Sequence, residues 1–230
     1  MPRLKAQLHV HTRQDPIDGI KLTEKQIIDH AASHRYDVLA ISCHNVVIFN
    51  EDLKAYAEKK RILLIPALEK SIQRKHVLIL NANIEAQNIK TFEDLKEYRK
   101  RHPDCFVVAA HPYYPGPTSL GKKLDKHSDL FDAVEYSWYH THRFNRANEK
   151  AVKAAEQYGL PLLGTSDNHL SRYFNHTYSI IDADKDPKSI FSAIKNNKVK
   201  IVSHDLQSWQ MLSIISETLL RRFFKYFTLR

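Results

Sequence analysis

The stretch LKAQLHVHTRQDPIDG, residues 4–19, decides how the rest of this sequence is interpreted. An apolar run typical of a β-strand ends in His9 and His11, and Asp15 and Asp18 follow it. Residues i and i+2 of a strand point to the same face, so the two imidazoles are predicted to lie side by side. Imidazoles grouped with carboxylates at one strand end are typical ligands of a transition-metal ion.

Strand-like apolar runs alternate with helical segments along the chain. The seven runs are KAQLHVH (5–11), DVLAISC (37–43), ILLIPALE (62–69), HVLILNA (76–82), FVVAAHP (106–112), AVEYSWY (133–139) and PLLGTSDN (161–168). Several are continuously apolar, as expected for parallel strands that are buried on both faces. This alternation predicts an α/β barrel or a doubly wound sheet, and in both folds functional sites lie at the C-terminal ends of the strands.

Four signals mark helix boundaries between these strands. Thr23 with Gln26 forms a predicted capping box, and Thr91 is predicted to begin a second helix. Gly159 is a predicted C-cap of a third helix, and Pro187 suits the first position of a fourth.

Residue types that bind metals follow the predicted strands at their C-terminal ends. After the His9/His11 pair they are His44, Glu69, His111, Asp167 and His169. Five strands would therefore deliver imidazoles and carboxylates to one edge, which predicts a metal centre. The sequence contains no G-x-S-x-G, no G-x-x-x-x-G-K-[ST] and no G-x-G-x-x-G motif, so serine-hydrolase and nucleotide-loop chemistries fit less well.

The composition indicates a globular protein of 230 residues, 43% of them hydrophobic. We expect one barrel domain over residues 1–205 and an amphipathic helix over 206–230, packed on the barrel or in a dimer contact. No apolar run is long enough to cross a membrane, residues 1–7 have no signal-peptide h-region, and only two cysteines are present. A cytoplasmic location is therefore expected.

The net charge is +9, from 35 Lys and Arg against 26 Asp and Glu. Such a balance favours anionic partners, which could be phosphorylated small molecules, nucleic acid or a membrane surface.

The motifs LHVHT, AISCHN, IPALE, KHVLIL, AAHP and GTSDNH, in this order, resemble the polymerase and histidinol phosphatase (PHP) superfamily of metallophosphoesterases. The resemblance extends over about residues 6–182. It implies an α/β fold, a distorted (β/α)7 TIM-like barrel with its metal site at the C-terminal ends of the strands. It also implies two to three divalent ions, Zn, Mn or Fe.

Carried over by position, the resemblance implies a set of ligands for each ion. The first metal would be bound by His9, His11, Glu69 and Asp167, and the second by Glu69, His76 and His111. The third would be bound by Asp15, His44 and His169, with Asp18 as a competitor of Asp15. Glu69, Asp167 and His169 would be the catalytic members of the set.

The implied activity is hydrolysis of phosphate esters by a hydroxide that the metals activate. The substrate would be a small phosphorylated metabolite or a nucleotide, as a monoester or a diester. A nuclease acting on DNA or RNA ends is the first alternative, and a non-catalytic metal-dependent regulator is the second. A homo-oligomer is compatible with the sequence.

Arginine side chains are expected to complete a phosphate-binding site, because guanidinium binds phosphate in a bidentate manner. Arg172 is the first candidate, and Arg143 and Arg74 also lie near predicted strand ends. Tyr139 and His140 either line the substrate pocket or enter the following helix.

Overall fold

The computed structural model describes residues 2–214, 216 and 217. Within them the chain forms nine strands: β1 (Arg3–Val10), β2 (Val38–Ile41), β3 (Leu63–Ile72), β4 (Lys75–Leu80), β5 (Phe106–Ala109), β6 (Ala133–Ser137), β7 (Leu162–Thr165), β8 (Thr177–Asp182) and β9 (Val199–Ser203). The α-helices are α1 (Glu24–Ser33), α2 (Glu51–Lys59), α3 (Phe92–Arg101), α4 (Lys122–Lys126), α5 (Arg146–Tyr158) and α6 (Pro187–Lys195).

The strands form a single sheet in the order β7-β6-β5-β4-β3-β2-β1-β8-β9. Strands β1, β2 and β3 are mutually parallel, as are β5, β6 and β7. Strand β4 runs antiparallel to both neighbours, and β8 and β9 add an antiparallel pair beside β1. All seven predicted strands are present, and β8 and β9 were not predicted.

The sheet curves until β7 approaches β8 and β9, which almost closes a barrel. The backbone N–H of Gly164 donates to Ser179 Oγ, and Ser179 Oγ donates to the Gly164 carbonyl, both at 3.0 Å. Glycine is needed here, because a Cβ at position 164 would lie 2.6 Å from Ile201 Cγ2. The predicted α/β fold with a distorted (β/α)7 barrel is confirmed, and the antiparallel strands are its distortion.

The Gln7 side chain connects the two sides of this closure by hydrogen bonds. Its amide nitrogen donates to the carbonyls of Phe174 (3.1 Å) and Thr177 (3.0 Å), and its amide oxygen accepts from Ser166 N–H at 2.8 Å. The side chain is fully buried, so these hydrogen bonds satisfy a polar group that would otherwise be costly. Gln7 therefore has a structural role next to the metal-ligand candidates.

The predicted helix boundaries are confirmed. The capping box of Thr23 with Gln26 is formed, and Thr91 caps α3 with Asp94. Gly159 ends α5 in the left-handed conformation with φ 63°, and Pro187 is the first residue of α6. The helices cover the sheet.

Helix α2 was not predicted from the sequence. Its segment EDLKAYAEK is mostly polar, and only Leu53 and Ala57 are buried. The Asn50 side chain accepts a hydrogen bond from Leu53 N–H and caps the helix. Its two buried residues join the core cluster of Ile27 and Leu39.

The chain after β9 returns to the barrel. Leu206 and Ile214 pack with Trp138, Leu170 and Tyr173 in one buried cluster. Residues 208–214, 216 and 217 are helical, and residues 215 and 218–230 lie outside the described residues. The helix over residues 206–230 therefore stays a prediction. Whether it packs on the barrel or forms a dimer contact also stays a prediction. No helix in the described ranges is long and apolar enough to cross a membrane.

Candidate metal centre

Glu69 lies at the centre of a buried group of histidines. Its Oε1 is 2.8 Å from His76 Nδ1 and 2.8 Å from His111 Nε2. Its Oε2 is 2.9 Å from His44 Nε2, 3.4 Å from His9 Nε2 and 3.5 Å from His11 Nε2. One carboxylate therefore contacts imidazoles from β1, β4 and the ends of β2 and β5, which is the geometry of a bridging ligand.

Asp167 brings a second carboxylate to the same place. Its Oδ1 lies 3.1 Å from His11 Nε2, 3.5 Å from His9 Nε2 and 3.4 Å from His169 Nδ1. Asp167 has φ 40° and His111 has φ 27°, values that non-glycine residues rarely adopt. Both residues follow barrel strands, where this backbone conformation redirects the side chains.

The antiparallel direction of β4 explains how His76 reaches the site. In the sequence His76 begins its apolar run, so an argument from C-terminal strand ends does not select it. Because β4 runs opposite to β3 and β5, its first residues lie at the edge where the parallel strands end. Ser71 pairs with His76 across the β3–β4 hairpin, two residues beyond Glu69.

Asp15 and Asp18 have different surroundings. Asp15 accepts backbone hydrogen bonds from Ile17 (2.8 Å), Asp18 (2.9 Å) and His44 (2.8 Å). Its Oδ2 also accepts from His11 Nδ1 at 2.8 Å and contacts His44 Nδ1 at 2.9 Å. Both its oxygens are thus occupied by protein donors, and the carboxylate fixes the loop after β1.

Asp18 faces the side chains of the site instead. Its Oδ2 lies 2.9 Å from His169 Nε2 and 3.3 Å from His44 Nδ1. These two histidines are predicted ligands of the third ion.

Glu135 is a buried carboxylate that the sequence reasoning missed. Its Oε1 accepts a hydrogen bond from His9 Nδ1 at 2.9 Å and another from the Thr165 hydroxyl. Its Oε2 accepts from the backbone N–H of His111. A charged residue within the apolar strand AVEYS is the signal that could have revealed it. Glu135 orients two ligand candidates from behind, as carboxylates commonly do for metal-binding histidines.

The electrostatics of the group depend on close pairing of opposite charges. Burial alone raises the pKa of Glu69, but His9, His76 and His44 outweigh it and hold that pKa well below its usual range. Burial lowers the pKa of His44, but Glu69 and then Asp15 raise it to about 11. Burial likewise lowers the pKa of His169, and Asp167 raises it to about 9. The carboxylates thus attract positive charge, which protons or metal cations can supply.

Three observations indicate that these residues suit divalent metal ions. Three groups have ligand atoms within 4.8 Å of one another: His9, His11, Glu69 and Asp167; His11, Asp15, Asp18 and His44; and His44, Glu69 and His76. His9 Nε2 and His76 Nδ1 are buried, and although Glu69 oxygens lie 3.4 and 2.8 Å from them, no group in the described residues meets either nitrogen with hydrogen-bond geometry. Nitrogen and oxygen donors without thiolate suit Zn, Mn or Fe.

A cavity of about 560 Å³ opens over this group, and we call it the metal cavity. Glu69, His76, His111, Asp167 and His169 form its polar floor. Its walls are largely aromatic or apolar, from Tyr114, Trp138, Tyr139, Leu170 and Ile214. A small phosphorylated molecule or part of a longer chain fits such a space.

The predicted arginine candidates do not line the metal cavity. Arg172 donates to Glu217 at 2.6 Å and lies over the ring of Tyr173. Arg74 is in the turn between β3 and β4 with φ 66°, and Arg143 is exposed before α5. Of the pocket candidates after β6, Tyr139 lines the cavity and His140 instead contacts Ser203 Oγ at 2.8 Å.

The sequence of the segment from α5 to β9 is similar to that of one protein family. A family described as PHP-associated matches residues 145–199, which run from α5 to the start of β9. No curated protein matches the sequence.

Several solved structures share the fold. One is a two-domain protein from Bacteroides vulgatus containing a predicted PHP-like metal-dependent phosphoesterase, with TM-score 0.65 and 17% identity over 94% of this chain and 70% of that one. The protein PsfC from Pseudomonas syringae has TM-score 0.63 and 14% identity, with 97% and 100% of the two chains covered. A lesion-specific endonuclease from Pyrococcus furiosus has TM-score 0.61 and 18% identity over 87% of this chain and 58% of that one.

At these identities the likeness is one of fold. Together with the PHP-associated match, it confirms the resemblance to the PHP superfamily that the ordered motifs indicate. The chain thus has a barrel fold similar to that of PHP-like proteins, with a candidate divalent-metal centre.

Proposed function

We propose that the protein is a metal-dependent phosphoesterase that hydrolyses phosphate esters in the metal cavity. The observation that carries the proposal is the position of Glu69, whose two oxygens contact five imidazoles from four parts of the barrel. Burying so many ionisable groups together without bound cations would be costly. A centre of two to three Zn, Mn or Fe ions accounts for the arrangement.

The ligand sets follow from the contacts around each carboxylate. We assign His9, His11, Glu69 and Asp167 to the first ion, and Glu69, His76 and His111 to the second. For the third ion we assign Asp18, His44 and His169, because Asp15 is occupied by backbone donors. Asp15 then acts as a positioning residue for His11 and His44.

Bound divalent ions would supply positive charge to phosphate oxygens and lower the pKa of a water molecule towards neutrality. Residues of the chain position the metal ligands and the substrate. Glu69 keeps its ligands together, and Glu135 directs His9 Nε2 towards Glu69 and Asp167. The walls of Tyr114, Trp138 and Tyr139 hold the organic part of the substrate and exclude water from one side.

The test is metal content measured together with hydrolysis of a panel of phosphomonoesters and diesters. We expect two to three ions per chain, activity that is lost on chelation and recovered on adding Zn or Mn, and loss of activity in Asp167→Asn. The matched control is Asp129→Asn, an exposed aspartate outside the site. A chain that binds no divalent ion, or a control as inactive as Asp167→Asn, would refute the proposal.

A nuclease is the second candidate function. The fold similarity to a lesion-specific endonuclease supports it, although this chain covers only 58% of that protein. The net charge of +9 is a second supporting observation, because nucleic acid is a polyanion. Adding single-stranded oligonucleotides to the same panel separates the two activities.

A further inference from the structure

A second cavity, of about 590 Å³, adjoins the metal cavity. Tyr114 and Ser119 line both cavities, so they share a wall. Four lysines line the second cavity: Lys75, Lys122, Lys123 and Lys126. We call it the lysine cavity.

No carboxylate in the described ranges forms an ion pair with these lysines. Lys75 Nζ donates to the Pro117 carbonyl at 2.8 Å, and Lys123 Nζ contacts Gln73 Oε1 at 3.5 Å. The side chains of Lys122 and Lys126 are not paired with any residue in these ranges, and both residues are exposed. The lysine cavity therefore presents ammonium groups that are available to an anion.

Asp125, the acid between these lysines on α4, is directed to a different partner. It accepts a hydrogen bond from the Tyr158 hydroxyl at 2.9 Å. Burial lowers the pKa of His127, which follows α4; Lys126 and then Lys123 lower it further and outweigh the opposite effect of nearby acids.

The backbone around the lysine cavity is fixed by hydrogen bonds. Gly121 N–H donates to the Pro112 carbonyl at 2.8 Å, and His76 N–H donates to the Thr118 carbonyl at 2.8 Å. Gly121 has φ 51° and ψ −131°, a conformation that favours glycine and turns the chain into α4. The loop between β5 and α4, which separates the two cavities, is thus hydrogen-bonded to β4.

Strand β4 links the two cavities directly. Successive side chains of a strand point to opposite sides. Lys75 accordingly lines the lysine cavity, and the next residue, His76, lines the metal cavity. A substrate that spans the shared wall would contact both.

We propose that the lysine cavity binds a second phosphate group of the substrate while the phosphate to be hydrolysed lies in the metal cavity. This inference rests on the proposed function. The substrate is then a molecule with two or more phosphates, either a bisphosphorylated small molecule or a nucleic-acid strand. The Tyr113 and Tyr114 rings beside the lysines provide a surface for the part between the phosphates.

The kinetic test compares substrates that differ in the second phosphate. The variant is Lys122→Ala/Lys126→Ala, and the control is Lys153→Ala/Lys188→Ala, two exposed lysines outside both cavities with the same change in net charge. The substrates are p-nitrophenyl phosphate, glucose 1,6-bisphosphate and a 5′-phosphorylated trinucleotide. Thermal melting of each variant checks that it is folded.

We expect kcat/KM of the lysine-cavity variant to fall by roughly tenfold or more, mainly through KM, on a substrate with a second phosphate. Its activity on p-nitrophenyl phosphate should stay within about twofold of wild type, and so should the control on every substrate. If kcat/KM of the variant falls on glucose 1,6-bisphosphate alone, the substrate is a small molecule. If it falls on the trinucleotide alone, the substrate is a nucleic-acid strand. Equal loss on all substrates, or no loss on any, would overturn the inference.

A binding measurement decides the inference without hydrolysis. Anisotropy of a fluorescein-labelled oligonucleotide is measured against salt for wild type and for the variant. Each lost phosphate contact lowers the slope of log K against log salt by about 0.7 for a single strand. If wild type hydrolyses no ester, the proposed function fails. An unchanged salt slope in the variant, together with equal displacement of the oligonucleotide by glucose 1,6-bisphosphate from wild type and variant, would then overturn the inference as well.

Discussion

Glu135 Oε1 lies 2.9 Å from His9 Nδ1, and both side chains are completely buried. Because a carboxylate can only accept, this pair places a proton on His9 Nδ1, so Nε2, which lies towards Glu69 and Asp167, is the atom that would bind a metal ion. A carboxylate that never reaches the metal cavity thus determines the direction of a proposed ligand.

Replacing Glu135 with glutamine is predicted to weaken metal binding. Both carboxylate oxygens accept hydrogen bonds, from His9 and Thr165 on one side and from His111 N–H on the other. The glutamine amide has only one acceptor oxygen, so its NH2 group would face at least one of these donors. We expect a metal affinity about 10–100-fold lower than wild type, measured by competition with a chromogenic chelator. Exposed Glu149→Gln is the control, and equal affinities of the two variants would contradict the prediction.

Asp15→Asn and Asp18→Asn are predicted to have different effects. Asp18→Asn should lose about one bound ion per chain, because Asp18 faces His169 and His44. Asp15→Asn should lower stability by about 1–3 kcal/mol, because three backbone donors lose part of their acceptor. Metal analysis and melting curves of the metal-free proteins measure both effects. The reverse pattern would make Asp15 the ligand.

Metal binding is predicted to release protons and to strengthen as pH rises. The pKa of His44 is raised to about 11 and that of His169 to about 9, so at neutral pH both are protonated when no metal is bound. A metal ion needs the neutral imidazole, so protons and metal compete and acidification weakens binding. Calorimetry in buffers of different ionisation enthalpy counts the released protons. Affinity that is constant between pH 6 and pH 8 would contradict this.

Asp132→Asn is predicted to destabilise the fold. Asp132 accepts two hydrogen bonds from Arg99, at 2.6 and 3.0 Å, one from Val107 N–H at 2.8 Å, and contacts Lys195 Nζ at 3.0 Å. It therefore connects α3 and α6 to the sheet. Asp132 is buried but Arg99 and Lys195 are partly exposed, so we expect this substitution to cost about 1–3 kcal/mol.

The same residue has a predictable pH dependence. Burial raises the pKa of Asp132, but Arg99 outweighs it and the folded-state pKa is lowered. Its contribution is complete above the unfolded pKa of about 3.9 and is lost as pH falls through the lowered folded value. The stability difference between wild type and Asp132→Asn should therefore shrink below about pH 4. Denaturant unfolding at pH 7 and pH 3 measures it, with exposed Asp184→Asn as the control.

Local signals in the sequence predicted most of the barrel. Apolar runs identified seven strands, and the caps at Thr23, Thr91 and Gly159 were correct because capping depends on a few neighbouring residues. Strands β8 and β9 were missed because TYSIID and VKIVS mix polar with apolar residues and are only partly buried. Their pairing with β1 and with each other is a long-range contact, which local periodicity does not report.

The sequence by itself determined which side chains could form a metal centre, because imidazoles and carboxylates end several strands and barrel strands end at one edge. Only the tertiary structure decided the partners of each one. The antiparallel direction of β4 brings His76 to Glu69, and the backbone donors around Asp15 leave Asp18 to face His169. The Arg172–Glu217 contact likewise keeps that arginine away from the metal cavity. These outcomes depend on strand direction and on competition for hydrogen bonds between distant residues, and neither is encoded in local spacing.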